Sequence, residues 1–343
     1  MSDKPFNYGG QAVMEGVMMR GSKAMAVAVR HPEGHIIVHR EPLNKFMYDG
    51  WLTRAPFLRG LILLWDSLGL GMRSLFFSSN VAMEAEELQG RKTDQKEPTG
   101  EAAETGESAP AQIANVFEGP LAWGMALASL SFGIGLFFLL PAFVTGLFEE
   151  WLAIESALAG NLIEGAIRLL LLIGYMAAVG LIPDIARVFA YHGAEHKTIM
   201  AFEGGAELEP AKVSRYSMYH PRCGTGFMLT VVVISILLFS LLGRPPLILR
   251  LASRVVLIPV VAGIAYEYIK FTAKYQHLVL VRLLTKPNLW LQRLTTRTPD
   301  ESMLEVSITA LRFVLEAEQG GEITEETVSI DQRSTGNDPG PTE

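Results

Sequence analysis

The chain has 343 residues, 49% of them hydrophobic, and a positive mean hydropathy, more apolar than a soluble core of this length requires. A single cysteine excludes an internal disulfide framework and agrees with a reducing setting. The formal net charge of −7 comes largely from two polar, acidic stretches, so it says little about partners.

The first residues, Met1 to Pro5, contain no apolar run, so no cleavable signal peptide is expected. Residues 1–56 open with a glycine-rich run, Gly9 to Gly21, read as a loop. Two runs rich in Val and Ile follow, Ala24–Arg30 and His35–Arg40, separated by His31-Pro32-Glu33-Gly34. That pattern predicts a β-hairpin. Residues 57–82 hold an apolar run, Phe57–Phe77, broken by Arg59, Asp66 and Arg73, as in an interfacial or buried amphipathic helix. Residues 83–118 are acidic and poor in large apolar side chains, which predicts a disordered linker or insertion, or an acidic interaction segment.

Residues 119–190 contain two candidate spans, Trp123–Phe148 and Ala166–Ala190. Residues 226–269 contain two more, Phe227–Leu242 and Leu247–Ile269. Each approaches the length that crosses a hydrocarbon layer of about 30 Å. A large soluble helical core is the alternative, and the wholly uncharged Trp123–Phe148 argues against it. Between the pairs, residues 191–225 form a polar loop. Residues 270–318 end in a helix, with Thr298 as expected cap, Pro299 in its first turn and Glu301 closing a capping box. The tail, 319–343, reads as disordered. The fold class is therefore an α-helical polytopic membrane protein with about four transmembrane helices and one amphipathic helix, plus a small N-terminal cytoplasmic unit containing a β-hairpin.

Lys and Arg are frequent before Phe57, in the 191–225 loop and after Ile269, whereas Glu149–Gly165 carries only acidic charges. Positive segments stay inside, so both termini and the polar loop are expected to be cytoplasmic, at the cell's inner membrane. Arg244, Arg250 and Arg254 fall on the expected outer side, where snorkelling or a re-entrant hairpin would accommodate them.

The chemistry concentrates in Tyr191–Thr198 and His220–Gly224, which hold three of the seven histidines and the only cysteine. On a helix, His192, Glu195 and His196 share one face. His-x-x-Glu-His is the inverted zincin pattern, in which the histidines bind Zn²⁺ and the Glu acts as base towards a water. The other reading is a polar helix end whose His and Lys satisfy terminal carbonyls. His220 and Cys223 supply further ligand types at a spacing that a tight turn brings together. Four ligands would close the site and make it structural; three would leave it open for chemistry, with Glu195 as base. Cys223 as a nucleophile with a histidine partner is a third arrangement.

Glu15, within the glycine-rich run, is a further candidate ligand or base, or else a solvated turn residue. His35 and His39 would lie about 13 Å apart on a strand, too far for one ion, so with His31 they are read as surface residues. Asp66, Asp184 and Glu267 border or interrupt apolar helices, where ionisable groups are costly. Asp184 would either orient a ligand histidine or pair with Arg187.

Four separated motifs carry a resemblance: Gly-Gly-Gln-Ala-Val-Met-Glu-Gly-Val-Met at 9–18, Gly-Ala-Glu-His-Lys at 193–197, His-Pro-Arg-Cys-Gly at 220–224 and Trp-Leu-Gln-Arg-Leu-Thr-Thr at 290–296. They resemble the bacterial YqhQ-like family of integral membrane proteins, described as predicted metal-dependent enzymes. The resemblance covers most of the chain outside the acidic linker and the tail. It implies a membrane location and metal dependence carried by Glu15, His192, Glu195, His196, His220 and Cys223, without fixing a substrate.

The leading expectation is a Zn²⁺-dependent hydrolase at the cytoplasmic membrane face, Zn or another divalent transition metal being the cofactor. His192 and His196 are ligands, His220 or Cys223 the third, and Glu195 the base. The alternative is a non-catalytic scaffold or membrane-protein biogenesis factor with a closed structural metal site; a transporter ranks third, since the spans carry few central charges. Expected partners are the lipid bilayer and an unknown substrate or membrane-protein partner, with no nucleic acid.

Overall fold

In a computed structural model that describes residues 8–43, 58–94, 120–151, 156–243, 245–319 and 325–330, the chain is mostly helical with one antiparallel sheet. The sheet runs β1 (Gly9–Val13), β2 (Gly16–Arg20), β3 (Ala24–Arg30), β4 (Ile36–Pro42) and β5 (Glu326–Ile330), each strand beside the next. The expected hairpin is β3–β4, with Arg30 opposite Ile36. The glycine-rich run, expected as a loop, is a second hairpin, β1–β2, that turns at Met14 and Glu15, where Glu15 has φ 50°.

The sheet is covered on both faces, which explains why every β3 residue from Ala24 to Val29 is buried. Along β3, Ala26 and Ala28 face one core with Val17, Met19, Ile36 and Val38. Met25, Val27 and Val29 face the other with Val13, Met18 and Leu70. Alternate residues of a strand point to opposite faces, so this split follows from the pleat. The first face packs on the C-terminal helix Glu301–Gln319 through Leu304, Ile308, Leu311 and Val314. The small alanines of β3 leave room for it. The second face packs on the helix Leu58–Asp94, hereafter α1.

Several expected boundaries move. α1 runs on to Asp94 through Ala-Met-Glu-Ala-Glu-Glu-Leu-Gln, strong helix formers that outweigh acidity, so the linker cannot begin at residue 83. Residues 95–119 lie outside the described residues. The next helices are α2 (Pro120–Ile134), one π-helical turn (Gly135–Leu139) and α3 (Leu140–Trp151), followed by α4 (Ala157–Val179) and α5 (Pro183–Glu203). The second apolar segment is therefore Ala157–Val179, not Ala166–Ala190, because Pro183 starts a new helix. The region expected as a polar loop is largely α5, then α6 (Pro210–Val213) and a turn into α7 (Gly224–Ser240).

The fourth expected span, Leu247–Ile269, is two helices, α8 (Leu247–Val256) and α9 (Ile258–Lys274), bent by 46° at Leu257. Pro259 in the first turn of α9 accounts for the break. α10 is Val279–Thr295 and α11 is the C-terminal helix Glu301–Gln319. Its cap is Asp300 rather than Thr298, since Asp300 Oδ1 accepts from Met303 N at 2.9 Å. The tail is not wholly irregular either: β5 pairs with β4, and Arg40 meets Glu326 at 2.6 Å. Residues 331–343 lie outside the described residues.

Among the described residues three stretches are long and apolar enough to cross a membrane: Gly60–Glu84 of α1, Leu127–Trp151 and Ala157–Val179. The bent pair α8–α9 makes a fourth if counted as one. The run expected to be interfacial thus meets the length and hydropathy of a span, while α7 is a shorter apolar helix.

Between these helices lies a polar cluster. Arg168 on α4 is only 1% exposed and meets Glu164 at 2.7 Å and Ser235 at 2.8 Å. Its Nε donates to Phe137 O at 2.8 Å. Pro141 has no N–H to offer the carbonyl four residues before it, that of Phe137, so Arg168 satisfies a group that proline orphans. Arg254 of α8, also 1% exposed, donates to both Glu164 oxygens at 2.8 and 2.7 Å. Arg250 meets Glu149 at 2.8 Å. Arg250 and Arg254 are thus taken up in ion pairs.

Candidate metal centre

α5 is the element that builds the site, and its glycine shows how tightly. A Cβ at Gly193 would overlap the carbonyl oxygen of Arg297 and lie 3.3 Å from Pro299 Cδ. The segment after α10 therefore rests on α5, pinned by the Arg297 N–H donating to Phe189 O at 2.9 Å. Gly193 is there for close approach, which outweighs its poor helix propensity. Gly193→Ala should lower stability by about 1–3 kcal/mol through overpacking, read as a fall in the unfolding midpoint of the purified protein. An unchanged midpoint would mean that this contact is not tight.

That contact places Thr295 over His192. The His192 Nδ1 donates to Thr295 O at 2.8 Å, and His196 Nδ1 to Met218 O at 2.5 Å. A carbonyl oxygen only accepts, so both Nδ1 atoms carry the proton and both Nε2 lone pairs are free to bind a cation. Orientation of ligand histidines by such outer partners is a general feature of metal sites. The His192 Nε2 lies 3.2 Å from Cys223 Sγ. One ligand atom each from His192, His196 and Cys223 fall within 4.8 Å of one another. Tetrahedral Zn²⁺ with ordinary bond lengths would separate N and S donors by about 3.3–3.6 Å, close to the 3.2 Å between His192 Nε2 and Cys223 Sγ.

Cys223 is buried and is the N-cap of α7, its Sγ accepting from Thr225 N at 3.4 Å. His220 is brought close but stands apart from the three. Its ring centre is 5.6 Å from that of His196, and its Nε2 lies 4.0 Å from Glu203 Oε2. That Nε2 is buried with no hydrogen-bond partner. Gln292 of α10 fixes the backbone here, its amide accepting from His220 N at 2.9 Å and donating to His220 O at 2.8 Å.

Glu195 is 5% exposed, with Oε2 3.9 Å from His192 Nε2 and 3.8 Å from His196 Nε2. Burial pushes its carboxyl up; His192, His220 and the Gly10 N–H oppose this in part. A Cβ at Gly10 would sit 2.7 Å from Glu195 Cγ, so a glycine in β1 is what lets the strand lie on this carboxylate. Lys197, buried on the other side of α5, donates to Ser214 O and Tyr216 O at 2.6 Å each, holding the loop that carries Met218 and His220. Burial lowers its pKa.

Glu15 has a different neighbourhood. Its carboxylate is gripped by Arg187 at 2.5 and 2.6 Å and accepts from Tyr191 OH at 3.3 Å, tying the β1–β2 turn to α5. Asp184, weighed as the partner of Arg187, is exposed in the first turn of α5. His31 is buried and stacks on His35 at 4.4 Å, so it is no surface residue. His31, Glu33 and His35 form one group of possible ligands, and His39, Glu41 and Glu325 another.

Reasoning from sequence named Arg187 only as a partner for Asp184, and did not single out Gln292, Thr295 or Gly10 as individual contributors. The last three lie inside conspicuous motifs, the only signal available for them.

The model of a family described as "Protein of unknown function (DUF1385)" matches residues 55–317. The "Uncharacterized protein YqhQ" of Bacillus subtilis (strain 168) is 32% identical over 320 residues, covering 92% of this chain and 94% of the relative. No solved structure matches. The chain belongs to the DUF1385 family, and the motifs at 193–197, 220–224 and 290–296 fall inside the matched region.

Proposed function

We propose that this member of the DUF1385 family is a multi-pass membrane protein whose His192, His196 and Cys223 hold a zinc or similar divalent transition ion, and that it is a metal-dependent hydrolase at the cytoplasmic face of the cell membrane. The observation that carries the proposal is the pair of imidazoles whose Nδ1 atoms are engaged by Thr295 O and Met218 O, with one thiol within 4.8 Å of a ring nitrogen of each. Two nitrogens and a sulfur suit Zn²⁺, and three protein ligands leave a fourth position for substrate. A bound ion of this kind supplies Lewis acidity.

Glu195 is the group placed to take a proton from whatever occupies that fourth position, because its carboxylate borders both free imidazole nitrogens. Gly10 N–H steadies it. The apolar helices support the membrane location, and the Lys and Arg bias supports cytoplasmic termini. Arg250 and Arg254 weigh less against that orientation, since each is ion-paired with a glutamate within the helical region.

A second reading rests on His220, whose buried Nε2 is unpartnered beside His196. As a fourth ligand it would close the centre, and the protein would be a scaffold or biogenesis factor with a structural ion. Metal analysis of the purified chain, wild type beside Glu195→Gln and His220→Ala, separates the readings. The enzyme reading expects one equivalent of metal in all three, with an open coordination position seen by X-ray absorption. Loss of the metal in His220→Ala favours the closed site. Finding no metal in wild-type protein purified without chelators would remove both.

A further inference from the structure

The cluster around Glu164 leaves a charge unaccounted for. Two guanidinium groups, Arg168 and Arg254, each 1% exposed, share a single carboxylate that is 2% exposed. The next carboxylate, Glu149, is engaged by Arg250. Among the described residues one positive charge is therefore left over within the apolar helices, where an unmatched ion is costly. Phe239 faces both guanidinium groups, at 5.3 Å from Arg168 and 4.0 Å from Arg254, but ring faces disperse charge without cancelling it.

A second observation points to a ligand. Asn161, 7% exposed, accepts from Arg254 at 3.2 Å through its carbonyl, while its amide nitrogen is buried without any acceptor. A donor left unpaired beside an excess cation is half of an anion site. The backbone around it is irregular: a π-helical turn runs from Gly135 to Leu139, and the α8–α9 bend of 46° lies just after Arg254. Both features recur where membrane helices make room for a ligand.

Resting on the reading that these helices span a membrane, we infer that Arg168, Arg254 and Asn161 form an intramembrane site for one monovalent anion, a halide or a small carboxylate. Along α4, Glu164 and Arg168 lie about 10 and 16 Å from Ala157, at 1.5 Å per residue. His192 lies beyond the other end of the same helix. The anion site thus lies in the first half of α4, and the metal centre lies beyond its last residue.

The test uses the full chain purified in detergent with a chelator present, so that the metal centre plays no part. Bromide and formate binding are measured by equilibrium dialysis and by the shift in unfolding midpoint, with ionic strength held by sulfate. The expected result is one saturable site per chain for bromide, formate or both, the preferred ion showing which source the site takes. Affinity should fall at least tenfold in Arg254→Met, which removes the excess charge, and in Asn161→Leu, which removes the spare donor. Should Arg254→Met fail to fold, Asn161→Leu and the wild type decide the matter. No saturable binding to wild-type protein, equal competition by sulfate, or unaltered affinity in Asn161→Leu would overturn the inference. A membrane-spanning chain that lacks this site would still partition into vesicles and still bind metal without the chelator, so the two failures are distinguishable.

Discussion

Protein carrying His196→Ala or Cys223→Ser is expected to lose metal affinity by at least about a hundredfold, because removing a ligand should cost no less than removing an outer partner, for which 10–100-fold is typical. The same logic gives a graded series. Gln292→Ala leaves all three ligands in place but frees the backbone of His220, to which both halves of the Gln292 amide are bonded. Since Cys223 N donates to His220 O at 3.3 Å, the turn that presents the thiol is loosened too, and affinity should fall by about 10–100-fold. Competition with a chromophoric chelator measures all three. A merely structural role for Gln292 would lower the unfolding midpoint of the metal-free protein without altering the affinity of what remains folded. Equal affinities across wild type, His196→Ala and Cys223→Ser would remove the metal centre altogether.

The part of this proposed centre legible in the sequence was the part governed by helical period. His192, Glu195 and His196 are one turn apart, and a helix must put them on one face. Cys223 was legible as a ligand type near a turn, because Pro221 and Gly224 mark one. What could not be read were the partners that come from elsewhere in the chain. Thr295 and Gln292 reach His192 and His220 across 103 and 72 positions of the chain. Carbonyl acceptors such as Thr295 O and Met218 O leave no trace in residue identity, since every residue has one. Glu15 shows the converse. Glycines on both sides suggested a ligand-binding loop, but they belong to a hairpin, and the carboxylate closes on Arg187 instead.

The fold was legible where pattern and length agree, as in the β3–β4 hairpin and the uncharged Trp123–Phe148 run. It was less legible where hydropathy continues across a backbone break. Pro183 divides a run that reads as one apolar segment, and Pro259 bends another. β5 was hidden because a five-residue edge strand in an acidic stretch gains its order from β4, not from its own composition.

Glu164→Gln is expected to be the most damaging single change in the helical region. It would leave two buried guanidinium groups with no carboxylate between them, and breaking a buried ion pair in this way costs about 3–5 kcal/mol. Stability is read from the unfolding midpoint in detergent. The second half of the prediction is rescue. Glu164→Gln combined with Arg254→Met removes one cation along with the anion, so the double variant should be more stable than Glu164→Gln alone. Arg168 should persist in that background, because its bonds to Phe137 O and Ser235 Oγ do not depend on Glu164. Removing Arg168 as well would strip the partner from the carbonyl that Pro141 leaves unbonded, and a further loss is expected. Additive losses in the double variant, with no rescue, would show that the three charged groups act independently and that their apparent network is packing alone.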